Sequence, residues 1–400
     1  MTSPAARRVL LVDSSGYEDL GGASTVLNEV IDRVDRSRYV PVLACLSPGR
    51  WPELVRAGGT AAYSFPRSRL RSLRNLMALV LGLVRVVRDE HIELIHASEN
   101  SALLYAGLAG RLSRTPVIWH IHSPLQPRAR SELVVARLLR LVPPAHIVYT
   151  SPGARERTLP FPGVPWSIIT PGIDVARCRS GNPTRGRQAF EIPVDALVVS
   201  MFARVGPMKG QADFVRCLGR LAQVHPDVYG VMCGPADKGS RYWRTLERLV
   251  GDLGLRERLI IPGDVRSPLK EDIVAGSDVV VHPSHAESFG LAVLEAMAAG
   301  KAVVAAATDG PRLLIEDGVT GVLVEPGNVD QLTAAVGRLL TDSGARAALG
   351  AGAARAAEKH RVDDMVRAFE GLWDGVLVDH GLSPGRALRP KNGIRRRHRT

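Results

Sequence analysis

Cysteine is scarce in this 400-residue chain: there are four, at positions 45, 178, 217 and 233, and none has Cys-x-x-Cys spacing. That excludes a disulfide framework and a zinc ribbon, and it reads as reduced thiols in a cytoplasmic protein. Long apolar runs are missing as well. The first one, Val9-Leu10-Leu11-Val12, is ended by Asp13 and is too brief for a signal-peptide core. No run reaches the roughly 20 residues that a membrane-spanning helix needs. Tandem repeats are absent, and the basic residues are not interleaved with aromatics in any recognisable nucleic-acid module, so nucleic acid is not an expected partner.

What is present suits a globular protein of two domains. Apolar residues make up 45% of the chain and the mean hydropathy is +0.02, enough for two real cores. Charge is unevenly placed. Residues 1–175 carry 21 arginines against 14 acids, a net +7; residues 381–400 carry seven basic residues and no acid. The rest of the chain is left with −2 of the formal +12. The excess predicts contact of the N-terminal half and the tail with an anionic surface.

Along the chain, short β-branched runs alternate with helical patterns, the signature of parallel strands joined by crossover helices. Strands are predicted at 9–12, 92–96, 115–123, 145–150, 196–202, 228–233, 259–265, 278–281 and 302–306. Gly21 and Gly22 sit between the first strand and a helix, where backbone can approach a phosphate closely. Residues 66–90 form a basic amphipathic helix, with Arg67, Arg69, Arg71, Arg74, Arg85 and Arg88 around a wide apolar stripe. It reads as an outer helix packed on a sheet, and its arginines also suit an anionic membrane. His120 and His122 alternate onto one strand face. No acid or cysteine stands near them in sequence, so a metal site is not expected. Residues 178–188 read as a polar linker.

The most informative stretch runs from His282 to Gly300. The strand Asp278-Val279-Val280-Val281 delivers a Pro283-Ser284 turn and then a helix that Gly300 can close. The amides of Ser288, Phe289 and Gly290, with the helix dipole behind them, make a site for a phosphate. Glu287 in the loop and Glu295 in the helix can border one crevice. Glu295 lies among Leu294, Ala296, Met297 and Ala298, where a carboxylate without a partner is costly.

This stretch resembles the signature of the retaining glycosyltransferases of family 4, which have the GT-B fold. The residues that carry the likeness are Pro283-Ser284, Glu287-Ser288-Phe289-Gly290 and Glu295-Ala296-Met297-Ala298-Ala299-Gly300. Arg204 and Lys209-Gly210 resemble the family's Gly-Arg, three or four residues, Lys-Gly step with Ala203 in place of its first glycine, and Gly263-Asp264-Val265 resembles the loop that meets the nucleotide base. The likeness extends over about residues 9–378. It departs at Thr170-Pro171-Gly172, where the family's asparagine is missing, and at Leu313, which replaces a glutamate.

The resemblance implies an α/β protein of two Rossmann-like doubly wound domains with an inter-domain cleft. Residues 1–175 would form the acceptor domain and 190–361 the nucleotide-sugar domain, with a hinge near 172–190. A helix over 362–380 would cross back to the first domain, and 381–400 would be a disordered basic tail. Implied roles are donor contacts from Gly21, Gly22, Asp264, Ser288, Phe289, Gly290 and Leu291, a diphosphate clamp of Arg204 and Lys209, a sugar contact from Glu287 and a ribose contact from Glu295. His122 would point to the sugar, with His120 as the fallback. The implied reaction moves a sugar from a nucleoside diphosphate to a hydroxyl acceptor with retention. No cofactor or metal is expected, because the cationic pair supplies the charge. The alternatives are an epimerase or phosphorylase on the same fold, or a degenerate sugar-nucleotide-binding subunit without turnover. The expected location is the cytoplasm, with peripheral contact at the inner membrane face through residues 66–90 and the tail.

Overall fold

The structure is a computed structural model that describes residues 6–16, 21–65, 73–126 and 130–382. Arg67, Arg69, Arg71 and nearly all of the basic tail lie outside the described residues. Two parallel sheets make up the core. The first contains β1 (Arg7–Asp13), β2 (Tyr39–Cys45), β3 (Ala62–Ser64), β4 (Leu94–Ser98), β5 (Val117–Ile121), β6 (His146–Tyr149) and β7 (Trp166–Ile168), in the order β3-β2-β1-β4-β5-β6-β7. The second contains β8 (Leu197–Phe202), β9 (Val228–Cys233), β10 (Leu259–Gly263), β11 (Val279–His282), β12 (Ala302–Ala306) and β13 (Val322–Val324), in the order β10-β9-β8-β11-β12-β13. Each order reverses once, beside β1 and beside β8, and ligands in such sheets bind at the carboxyl ends of strands flanking that reversal.

Apolar continuity explains the strands. β4, β5 and β11 are buried along their whole length because helices cover both faces, so both side-chain rows are core. Residues 73–89 form the expected helix. Leu79, Val80, Leu83, Val84, Val86 and Val87 are buried against the first sheet, and Arg74, Arg85 and Arg88 are exposed. No described helix is long and apolar enough to cross a membrane.

The polar stretch read as a linker is more ordered than its composition suggests. It folds as two short helices, Val175–Arg179 and Pro183–Gln188, whose N-termini are capped by the side chains of Asp174 and Asn182. Capping and packing on the helix Leu269–Gly276 supply the order that hydrophobic pattern does not show. The final helix, Val362–Asp379, returns to the first sheet. Val362, Met365, Val366, Phe369, Trp373 and Val376 join a core with Val9, Leu11, Ile118 and Val148. The two passages between the domains lie side by side: Ile173 donates to the carbonyl of His360 at 2.9 Å, and Val362 donates to the carbonyl of Ile173 at 2.9 Å. A Cβ on residue 172 would lie 2.7 Å from the Arg361 carbonyl oxygen, so only glycine lets these strands of backbone meet.

Under this helix the first sheet buries two histidines, and a third, the half-buried His122, follows β5. His96 and His120 are fully buried, with ring centroids 5.3 Å apart, and Phe369 caps each at 5.1 Å. The Trp373 indole donates to His96 Nδ1 at 3.3 Å, while neither ring nitrogen of His120 has a partner. Burial holds His96 down to about 3, and His120 well below its ordinary value. For His122, burial and then the field of His96 hold the value down to about 3.

These histidines are neutral in the fold and take up protons when unfolded below about pH 6.5. The unfolded state then binds more protons, so stability is intact above that value and declines as pH falls toward 3. Asp13, raised to about 7, and Glu99 and Asp32, also raised, oppose this, while His146 and His360, held down by burial, add to it. Thermal unfolding is therefore expected at lower temperature at pH 5 than at pH 7. Replacing His120 by Leu should flatten that dependence by about 1.4 kcal/mol per pH unit at most, and an unchanged slope would show that His120 is already charged in the fold.

Candidate functional site

The carboxyl ends of β8 and β11 bring two loops together. After β8 come Ala203, Arg204, Val205 and Gly206, then a single turn Pro207–Lys209 and the helix Gln211–Val224. After β11 comes Pro283 to Gly290, then the helix Leu291–Ala298. His285 fastens one loop to the other: its amide donates to the Met208 carbonyl at 2.9 Å, and its Nε2 lies 2.7 Å from Asp213 Oδ2. That brace sets Lys209 Nζ 2.8 Å from Glu287 Oε2, and His282 Nε2 lies 3.3 Å from the same oxygen. Burial resists charging Glu287, but the hydrogen bond from His282 and the charge of Lys209 outweigh it and hold the carboxyl at about 2. At neutral pH Glu287 is an anion that can only accept hydrogen bonds.

Gly290 takes a left-handed φ of 92° at the helix start, a turn that a side chain would strain. Among the described residues the amides of Ser288, Phe289 and Gly290 have no hydrogen-bond partner. Opposite them stands the start of the helix Gly22–Arg33 in the first domain, with Gly21 at its N-cap. A Cβ on Gly22 would come 3.7 Å from Leu291 Cδ1. Two helix N-termini thus face one another across the cleft, each with its positive dipole end inward.

The cleft between the domains has a volume of about 430 Å³. All the residues given first-choice donor or sugar roles line it: Gly21, Gly22, His122, Arg204, Lys209, Asp264, Glu287, Ser288, Phe289, Gly290, Leu291 and Glu295. His120, the fallback, does not line it and lies beneath in the core. His122 bonds Ser98 Oγ through Nε2 at 3.0 Å and turns toward the cleft as a neutral imidazole. Ala203 lines the cleft in place of a glycine, whereas Leu313 is 40% exposed and lies outside it.

Three contributors escaped the sequence reading. Lys270 lines the cleft and supplies the partner that Glu295 requires, Nζ to Oε2 at 2.6 Å. Burial works against its charge, but Glu295 more than compensates and raises its value. Its only signal was a lone lysine in a charged segment, Lys270-Glu271-Asp272, which reads as a solvated helix face. The second is His282, hidden at the end of an apolar strand. The third is Glu99, which follows β4 and lines the cleft with φ 72° and ψ 136°, a conformation that only glycine adopts readily. Burial pushes its carboxyl above the ordinary value. Nearby, burial pushes Asp13 up to about 7 against the Ser15 amide, and Glu99 adds to the rise.

Comparison with known proteins identifies the family and the fold. Residues 184–372 match the family described as Glycosyl transferases group 1, and residues 20–177 match Glycosyltransferase Family 4. The chain is 33% identical to a D-inositol 3-phosphate glycosyltransferase of Geodermatophilus obscurus, covering 95% of this chain and 91% of the relative. It is 30% identical to the protein of that name from Acidothermus cellulolyticus, where the match covers 56% of this chain and spans about half the length of the relative, 51%. Among solved structures, Anabaena Alr3699/HepE in complex with UDP and glucose superimposes with a TM-score of 0.80 at 25% identity, over 92% of this chain and 100% of that one. Sucrose-phosphate synthase from Thermosynechococcus elongatus shares the fold, with a TM-score of 0.75 at 19% identity, over 93% of this chain and 100% of that one.

Replacing Lys270 by Met strands the Glu295 carboxylate against an apolar wall. The expected cost is about 1–3 kcal/mol, toward the lower end because both side chains keep some solvent contact. Adding Glu295→Gln should recover most of that loss. Denaturant unfolding of the four proteins measures the coupling, and strictly additive effects would mean that the pair contributes nothing.

Proposed function

Because the chain belongs to the group 1 glycosyltransferases, family 4, and has their GT-B fold, we propose that it is a retaining hexosyltransferase that moves a sugar from a nucleoside diphosphate to a hydroxyl acceptor. The observation that carries this reading is the convergence of Arg204, Lys209, Glu287 and Glu295 with two helix N-termini on one cleft. A nucleoside diphosphate sugar is anionic at its centre and hydroxyl-rich at both ends, and the cleft has that order of charges. The UDP held by the Anabaena protein supports a uridine nucleotide as the first donor to try.

Each residue then has a distinct task. Lys209 has three N–H donors, one of which is engaged by Glu287, leaving others for a phosphoryl oxygen. With Arg204 and the free amides of residues 288–290, it stabilises the negative charge that grows on the diphosphate as the sugar–oxygen bond breaks. Glu287, held ionised, accepts hydrogen bonds from sugar hydroxyls. Glu295, held by Lys270, does the same for the ribose diol, and Asp264 with Val265 borders the base. His122 stays neutral and orients the sugar without adding a positive charge beside the developing oxocarbenium ion.

Retention follows from departure and attack on one face, with the leaving diphosphate taking the acceptor's proton. Among the described cleft acids, Glu287 and Glu295 are each held by a lysine, so these two are not the free carboxylate pair that a double displacement needs. The reaction so drawn uses no metal, because the lysine, the arginine and the helix dipoles supply the positive charge. The acceptor enters on the first-domain side, past Glu99 and Ser123. The names of the relatives make a phosphorylated polyol the first acceptor to test.

Three measurements test this. Thermal shift with UDP-sugars and GDP-sugars should pick out one donor, followed by release of diphosphate that depends on acceptor and by NMR of the product's anomeric configuration. An inverted product would end the front-face reading. Lys209→Ala should lower kcat by about 10²-fold or more with the fold intact, and near-normal turnover would remove the clamp. Glu99→Gln should raise the acceptor KM while leaving donor affinity alone.

A further inference from the structure

The helices on the outer face of the first sheet end in a surface that its own fold does not explain. Three neighbouring helices cover that face: Leu73–Asp89, Asn100–Ser113 and Arg130–Leu139. Their inward residues fill the core, yet their outward rows are not polar. Met77, Leu81, Leu112, Leu133, Val134, Leu138 and Leu141 are 38–68% exposed. Between them stand Arg74, Arg85, Arg88, Arg111, Arg114, Arg137 and Arg140, all but one without a carboxylate partner among the described residues; the exception is Arg85, 3.3 Å from Asp89. Over residues 73–89, 100–114 and 130–141 the sequence holds eight arginines against two acids.

At the sheet edge the same face continues through β7. Trp166 is 47% exposed, its ring packs 6.5 Å from Tyr149 of this core, and the Arg155 guanidinium stacks over it at 3.8 Å. Apolar side chains interleaved with arginines, with an indole at the margin, match the interfacial zone of a bilayer, where acyl chains, headgroup phosphates and ordered water lie within a few ångströms of one another.

We infer that this arginine-studded apolar face is a peripheral docking surface for an anionic lipid bilayer. Charge decides against a second copy of the chain, because two such faces pressed together bring like-charged arginines into opposition. Nucleic acid would use the arginines and leave the leucines unburied. Seated in this way, the helix that starts at Asn100 runs from the cleft to the lipid. Asn100 Nδ2 donates to the Ser123 carbonyl beside His122, and the other end of the helix is the exposed Arg111-Leu112. The acceptor side of the cleft then opens beside the membrane surface. The inference is independent of the proposed reaction, since it concerns a face away from the donor residues.

The test is flotation of the full chain with phosphatidylglycerol–phosphatidylcholine vesicles and with pure phosphatidylcholine vesicles. Binding is expected to be at least about tenfold tighter to the anionic vesicles, and Val134→Ser with Leu141→Ser should weaken it by about tenfold without shifting Tm, because both side chains are exposed. Leu81→Ser, on the neighbouring helix, should weaken it separately. If both sets of serine variants float like the unaltered chain, attachment belongs to the basic tail and the face is not a dock. Vesicle-independent dimers abolished by the same substitutions would assign it to a second copy instead. Equal binding to neutral vesicles would remove the role of the arginines.

Discussion

The ion pair between Lys209 and Glu287 is the contact on which the site turns. It joins the loop after β8 to the loop after β11, and it is available only because those strands are neighbours at the point where the sheet order reverses. The pair is partly buried, so neither charge is well served by water, and each is correspondingly sensitive to what else enters the cleft. In the proposed reaction an incoming diphosphate would compete with Glu287 for the ammonium, and sugar hydroxyls would replace what Glu287 gives up. One exchange therefore matches both ends of the bond to be broken. His282 steadies Glu287 during that exchange from the base of the loop, and the Lys270–Glu295 pair repeats the design one helix further on.

The first domain meets this charged wall with groups kept neutral or protonated. His122 is held uncharged by burial beside His96, and Asp13 and Glu99 are both pushed toward their protonated forms. The asymmetry is physical. In the proposed reaction the cations of the second domain would hold the diphosphate, and a first-domain wall of little charge would neither trap nor repel it. The strained backbone at Glu99 fits the same reading: a fold retains such a conformation where a side chain must face a particular direction.

Much of this was legible in the chain because local signals agreed. The run Val279-Val280-Val281, the Pro283 turn and the Gly290 start all pointed to one strand–loop–helix unit, and the resemblance to family 4 implied the cleft residues outside it. Legibility failed where tertiary pairing replaced pattern. β2 contains Pro41, which argues against a central strand, but β3 pairs with β2 only from Leu43 onward, so Pro41 sits where one side of β2 has no partner. The strands β3, β7 and β13 have three residues each, too few to show a period. Lys270 was invisible because its partner is 25 positions away, and Glu99 because backbone strain leaves no trace in composition.

The loop that departs from the family pattern has a mechanical place instead of a chemical one. Leu313 points away from the cleft, but Asp309 in the same segment forms an ion pair with Arg157 of the first domain. Next to it, the Gly310 amide donates to the Glu287 carbonyl at 2.9 Å. A chain of direct contacts thus runs from the first domain through Arg157, Asp309 and Gly310 to the backbone that carries Glu287. The segment that departs from the family pattern thus ties the first domain to the backbone of the Glu287 loop, and Leu313 takes no part in that tie.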